Sequence, residues 1–232
     1  MAKGVADICI CVLFYGAEDR HLKLAQRVLN EPMRCLAKRN IEFRFGCNAV
    51  GSATTDFLRR QIDAAFQDAL LFSRETNILK YPMMREMFYS PRIDAPITMW
   101  FDHDSYLDSE IDLDAWLGRV KKHLIGCCDM IGSVQKSKLS AEQADWAAAQ
   151  EWFDQTCDKQ YLDYAIGSWW AIKTEVLYRY DWPTTDLKQK EGDLMLGTLF
   201  KHQGLSLCHL REGVRINAND VGVEAAAPRT LI

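Results

Sequence analysis

Two aspartates two positions apart, Asp102 and Asp104, follow an apolar run at 97–101 (ITMWF) and enclose His103. In an extended chain residues i and i+2 share a face, so both carboxylates are expected to point to one spot while His103 points elsewhere. Adjacent carboxylates repel each other unless a cation or a hydrogen-bond network compensates, and hard oxygen ligands suit Mg2+ or Mn2+. A divalent cation is therefore expected here, sharing its remaining positions with diphosphate oxygens and offsetting the charge of a departing nucleoside diphosphate. A bare Asp-x-Asp also fits a solvated turn before Ser105; the buried strand in front of it favours the metal reading. Lys80 and Arg85, in NILKYPMMREMF ahead of that strand, are candidates to hold the diphosphate, although both also fit a solvated helix face. Trp169 and Trp170 offer indole faces of the kind that bind sugar rings or bases, with one of the two expected in the core.

These residues need a frame. Residues 8–15 (ICICVLFY) are apolar on both alternations, as a strand buried on both faces should be, and Gly16 ends them. Residues 19–39 carry helical spacing interrupted at Pro32. Residues 41–47 alternate as a strand, and Phe57, Ile62, Phe66 and Leu70 mark the next helix. A strand-like piece at 78–81, a helical one at 83–88 and the strand at 97–101 follow. Beyond them, helices are expected at 113–124, 141–153 and 194–202, and strands at 130–134, 169–172 and 205–208. This rhythm predicts an α/β sheet covered by helices on both faces, with ligands at the carboxyl ends of its strands, where Asp102 and Asp104 lie.

The 232 residues, 48% apolar and 26% charged, exclude disordered, collagenous and coiled-coil classes, and one domain spanning 1–232 is expected. No run approaches the ~18 apolar residues of a membrane span, and the N-terminus lacks the pattern of a signal peptide, so a cytoplasmic protein is expected. Cys9, Cys11, Cys35, Cys128 and Cys208 lie in apolar runs and read as reduced core residues. Cys127 and Cys128 have no second cysteine pair at zinc-ligand spacing, so no structural metal site is expected. A net charge of −4 argues against affinity resting mainly on nucleic-acid phosphates. The weakly patterned stretch 217–232 reads as a mobile tail or a lid.

The segment WFDHDSYL resembles the Asp-x-Asp segment of glycosyltransferases of the GT-A fold. GSWWAIKTEVL, from Gly167, is similar to the acceptor-side segment of the large inverting glycosyltransferase family, and EGDLMLGTLFKHQG, from Glu191, looks like its acidic motif. The similarity covers most of residues 5 to 210. It implies a Rossmann-like, mixed and mostly parallel sheet. It also implies that Asp102 contacts the ribose and the metal, that Asp104 ligates the metal, and that Asp193 is the general base, with Glu191 as the runner-up. His209 resembles the late histidine that completes such metal sites, and Tyr15, closing the first strand, joins the donor-binding set. The family's acidic residue for the nucleoside is not evident near Asn48.

The resemblance implies transfer of a sugar, with inversion, from a nucleoside-diphosphate sugar (UDP-sugar favoured) to a hydroxyl acceptor, with Mn2+ or Mg2+. Compact transferases of bacteria and phages are the nearest in size, which raises a hydroxylated DNA base as one acceptor. Basic groups at Arg34, Lys38, Arg39 and Arg44, and at Arg119, Lys121, Lys122 and His123, are the candidate phosphate contacts. Nucleotidyl transfer is the alternative, although FYGAEDRH after the first strand has one glycine rather than a glycine-rich phosphate loop. A non-catalytic nucleotide-sugar binding protein is the third reading.

Overall fold

A computed structural model describes residues 5–154, 161–189, 191–210 and 212–216. The expected tail or lid at 217–232 lies outside the described residues.

Strand β1, Ile8–Tyr15, is buried along its length except at Tyr15. The interruption at Pro32 divides the following helical stretch into α1, Asp19–Val28, and α2, Glu31–Leu36. Asn30 caps α2 by accepting the Met33 N–H, and Pro32 sits in its first turn, where no N–H is needed. Next come β2 (Ile41–Asn48), α3 (Ser52–Ala65), β3 (Leu70–Arg74), α4 (Lys80–Tyr89) and β4 (Ile97–Asp102). The remainder is β5 (Ser105–Leu107), α5 (Leu113–Gly126), β6 (Met130–Ser137), α6 (Ala141–Ala148), β7 (Leu162–Lys173), α7 (Thr174–Arg179), α8 (Gly192–His202), β8 (Leu207–His209) and β9 (Val214–Ile216).

Seven strands form one sheet in the order β3-β2-β1-β4-β7-β6-β8, while β5 and β9 pair separately. β3, β2, β1 and β4 are parallel; β7 runs antiparallel to both β4 and β6, and β8 is parallel to β6. The mixed, mostly parallel α/β sheet is thus the one the resemblance implies. Alternation along the strands divides the apolar side chains between two cores, one on each face. Ile8, Ile10, Val12 and Phe14 enter one core with Phe45, Trp116 and Trp169. Cys9, Cys11 and Leu13 enter the other with Met83, Met87, Trp100, Trp170 and Trp182. Each large side chain buried in this way contributes roughly 1.5–3 kcal/mol.

Three sequence expectations change here. Leu70 begins β3 rather than ending a helix, because α3 stops at Ala65 and Phe66 turns into the core. Residues 78–81 form no strand: Ile78 and Leu79 are loop and Lys80 opens α4. Cys128 and Cys208 are not reduced core thiols but a disulfide across 80 residues, while Cys9, Cys11 and Cys35 are free as expected. Pairing of β8 with β6 places Cys208 beside Ile131 and so brings the two cysteines together, which spacing along the chain does not reveal.

Arg44 is also unlike its expected phosphate-contact role. It is 1% exposed, paired with Glu42 at 2.5 Å, and donates to the Met87 and Pro91 carbonyls, both at 2.5 Å. The guanidinium ties β2 to the end of α4.

Candidate active site

β1, β2 and β4 end at one edge of the sheet, where their last residues, Tyr15, Asn48 and Asp102, meet in a single pocket. The strand does not continue through the aspartates: β4 stops at Asp102, and His103 and Asp104 form a turn into β5. Ser105 fixes that turn, its hydroxyl donating to the carbonyls of Asp102 at 2.8 Å and Ser168 at 2.7 Å. Asp102 and Asp104 nevertheless line the same pocket, and His103 turns away from it. The imidazole is 2% exposed, stacks on Tyr15 with ring centres 4.3 Å apart, and accepts the Tyr15 N–H. Burial pushes His103 down to about 3, so it is neutral at any working pH.

The two carboxylates differ. Asp102 receives the Lys80 ammonium at 2.5 Å on one oxygen and the Trp100 indole N–H at 2.9 Å on the other. Burial raises its carboxyl against the pull of Lys80. Asp104 has a buried Oδ1 with no hydrogen-bond partner among the described residues. Burial, with the nearby charge of Asp102, pushes Asp104 up to about 6. A buried carboxylate oxygen without a donor is costly unless a cation or proton meets it, so the hard-oxygen chemistry of Asp104 fits Mg2+ or Mn2+.

β7 supplies the opposite wall through Ile166, Gly167 and Ser168, and α8 adds Asp193 from its first turn. Lys80 Nζ donates to the Gly167 carbonyl at 2.8 Å, and the Gly167 N–H donates to Asp193 Oδ2 at 3.4 Å. Gly192, just before Asp193, lies so close to Tyr81 that a Cβ there would come within 2.1 Å of the ring, which brings the start of α8 against α4. Glu191, in a left-handed conformation (φ 71°), lines the pocket from the N-cap of α8.

Tyr15, Lys80, Asp102, Asp104, Glu191 and Asp193 therefore come together. Four expected residues do not join them. Arg85 is turned toward the 181–183 loop, forked onto Asp181 at 2.9 and 3.1 Å and donating to the Pro183 carbonyl. Trp169 and Trp170 are 0% and 3% exposed and fill opposite cores, Trp169 against Phe101 and Trp170 against Trp100. His209 stands on β8, with β7 and β6 between it and β4, a distance of roughly 14 Å at ~4.8 Å per strand. Its Nδ1 accepts the Val134 N–H.

Sequence reading missed Asn48, Asn77, Ser168 and Gln189 in the pocket wall. Asn48 stands at a strand end, the same signal that marks Asp102. Its amide holds the 77–79 loop, donating to Asn77 Oδ1 at 2.9 Å and the Leu79 carbonyl at 3.2 Å and accepting the Ile78 N–H at 2.9 Å. Nothing in the local sequence marks Gln189, which accepts the Lys80 N–H at the start of α4.

No protein-family model matches the chain, and no curated protein matches it in sequence. Solved structures do match. The mannosyltransferase PcManGT of Pyrobaculum calidifontis, in complex with GDP-Man and Mn2+, superposes with a TM-score of 0.60 at 15% identity, covering 90% of this chain and 55% of that one. TarS of S. aureus, in a crystal structure of residues 1–349 and in a second one in complex with UDP, superposes with a TM-score of 0.53 at 13% identity, covering 89% of this chain and 58% of that one. The fold is the GT-A fold. This chain spans little more than half the length of those structures. Within the GT-A frame the pocket occupies the carboxyl ends of β1, β2 and β4, where open α/β sheets bind ligands. No helix among the described residues is long and apolar enough to cross a membrane.

Proposed function

We propose that this chain is a metal-dependent glycosyltransferase moving a sugar, with inversion, from a nucleoside-diphosphate sugar to a hydroxyl acceptor. The observation that carries the reading is the buried, unpartnered Asp104 oxygen in a pocket that also holds Asp102, Lys80 and Asp193. Asp104 would hold Mn2+ or Mg2+, with Asp102 beside it; the bound cation offsets charge on the departing diphosphate. His209, with two strands between it and β4, is left out of the ligand set.

Tyr15, Asn48 and Asn77 form the slot for the nucleoside, and Asn77, held by Asn48, offers an amide N–H to a base carbonyl. Lys80 fixes Asp102 and brings positive charge to the diphosphate side. Asp193 takes the proton of the acceptor hydroxyl as its oxygen attacks the anomeric carbon, and the bond from that carbon to the diphosphate oxygen breaks. Gly167 lets the acceptor approach Asp193 and Lys80 without a side chain between them; a Cβ there would lie 3.3 Å from Lys80 Nζ. Glu191 is the second candidate base. GDP-Man and UDP in the superposed structures support a nucleotide-sugar donor, and UDP-sugar remains the favoured one. Among the basic residues expected to contact phosphate, Arg44 is in the core and Arg39, Arg119 and Lys121 pair with Asp114, Glu212 and Asp7, whereas Arg34, Lys38 and Lys122 are exposed, so a hydroxylated DNA base keeps only part of its expected contact set.

The test is a thermal-shift panel of UDP-, GDP-, ADP- and dTDP-sugars with and without Mn2+, on wild type and Asp104→Ala. A shift requiring metal, one nucleotide and Asp104, followed by slow release of nucleoside diphosphate, supports the proposal. Release of pyrophosphate would favour nucleotidyl transfer, and no shift with any donor would overturn the reading.

A further inference from the structure

A second cluster of metal-ligating groups lies apart from the carboxylate pocket, at the end of α5. His123 and Cys127 are one helical turn apart, with Nδ1 of the imidazole 3.7 Å from Cys127 Sγ. Cys127 is a free, exposed thiol whose sulfur lies 3.5 Å from Cys128 Sγ. Cys128 in turn is bonded to Cys208 of β8. The backbone holds the set in place: the N–H groups of Cys127 and Cys128 both donate to the His123 carbonyl, at 3.0 and 2.9 Å. Cys208 is fixed from the other side by its pairing with Ile131 of β6. One ligand atom from each of the four residues falls within 4.8 Å of all the others. None of the four lines the carboxylate pocket.

We propose that His123, Cys127, Cys128 and Cys208 form a tetrahedral zinc site when the Cys128–Cys208 disulfide is reduced. Three thiolates and one imidazole are a common structural zinc donor set, and Zn–S bonds of ~2.3 Å with a Zn–N bond of ~2.0 Å require ligand atoms roughly 3.3–3.8 Å apart. The 3.5 and 3.7 Å contacts already meet that spacing. Soft sulfur ligands select zinc over Mg2+ and Mn2+, so this site and the hard-oxygen site at Asp104 discriminate between metals by chemistry.

Disulfide and zinc are alternatives. An external dithiol supplies two electrons and two protons, the Cys128–Cys208 bond breaks to two thiols, and the dithiol closes its own disulfide. Zinc binding then releases one proton from each of the three thiols. In the oxidised chain only Cys127 and His123 remain as donors, too few to hold the ion. The site links α5 to the edge strand β8 in either state, by a covalent bond or by a metal.

The experiment is a Co2+ titration of the full chain, reduced with a phosphine and freed of reductant under anaerobic conditions, followed by displacement with Zn2+. One equivalent of Co2+ should give a thiolate-to-cobalt charge-transfer band with visible bands of tetrahedral intensity, and Zn2+ should abolish both. Asp104→Ala should leave the spectrum intact, because carboxylates give no such band. Cys127→Ser and His123→Ala alter groups outside the core, and each should weaken binding by about tenfold or more. Chain oxidised with diamide should show no band. A missing band in the reduced chain, or one unchanged by both Cys127→Ser and His123→Ala, would overturn the proposal.

Discussion

Lys80 and Asp193 are joined through one residue of β7: the Lys80 ammonium binds the carbonyl of Gly167 at 2.8 Å, and Asp193 accepts the N–H of the same glycine at 3.4 Å. The cation that pairs with Asp102 and the proposed base are thus held at a fixed separation by backbone groups, independently of any ligand. Such positioning lets a carboxylate meet an acceptor hydroxyl without first reorganising.

Asp193→Asn removes the proton acceptor while keeping an oxygen for the Gly167 N–H. Turnover is expected to fall by about 10²–10⁴-fold with donor affinity nearly unchanged. Steady-state kinetics with donor binding measured by calorimetry checks this; an equal loss of both would assign Asp193 to donor binding, and unchanged turnover would pass the role to Glu191.

Asp104 gives a pH dependence whose sign follows from its displacement upward to about 6. In the metal-free chain the folded state keeps this proton to higher pH than the unfolded one. Stability is therefore lost as pH rises from about 4 to about 6, by up to roughly 3 kcal/mol. Asp104→Asn should remove that loss in urea unfolding compared with wild type at pH 4 and 7. Because the ligand must be ionised, Mn2+ affinity of the wild type should drop about tenfold per pH unit below about 6, read by isothermal titration.

Lys80 and Arg85 separate cleanly. Lys80→Ala leaves Asp102 without its ion-pair partner in a site where both side chains are under 20% exposed, which should cost about 3 kcal/mol and weaken donor binding. Arg85→Ala breaks a more exposed pair with Asp181 and should cost about 1 kcal/mol or less, with the donor KM unchanged. A donor KM raised equally by both variants would return Arg85 to the pocket.

Trp169→Ala and Trp170→Ala should each destabilise by roughly 3–5 kcal/mol in denaturant unfolding, because each empties a core position. At temperatures where both variants remain folded, the acceptor KM should not change. A selective rise in acceptor KM for either one would show that an indole reaches the acceptor.

The elements legible in sequence were those with unambiguous periodicity. ICICVLFY is apolar on both alternations and so reads as a strand buried on both faces, and Pro32 marks the helix break. The carboxylates were legible because Asp102 ends an apolar strand. What sequence concealed depends on pairing between distant segments. Trp169 and Trp170 alternate on a strand covered on both faces, so each enters a core; nothing local distinguishes that from a pair lining a cleft. Arg85 has a partner 96 residues away, and Cys128 meets Cys208 only because β8 docks on β6. His209 shares that edge strand, far from β4, although its place in the sequence matches the resemblance.

The antiparallel strand β7 is inserted between β4 and β6, so Ile97 pairs with Lys173 and Phe101 with Trp169. During synthesis, a chain grown only to residue 154 contains Asp102, Asp104 and Lys80 but neither Gly167 nor Asp193. Its carboxylates stand at an open sheet edge without the wall that would close a donor slot. On the proposed function, competence to capture a nucleotide would therefore await residues 162–193, when β7 pairs with β4 and β6 and α8 brings in Asp193, and donor binding can serve as a clock for that stage of folding.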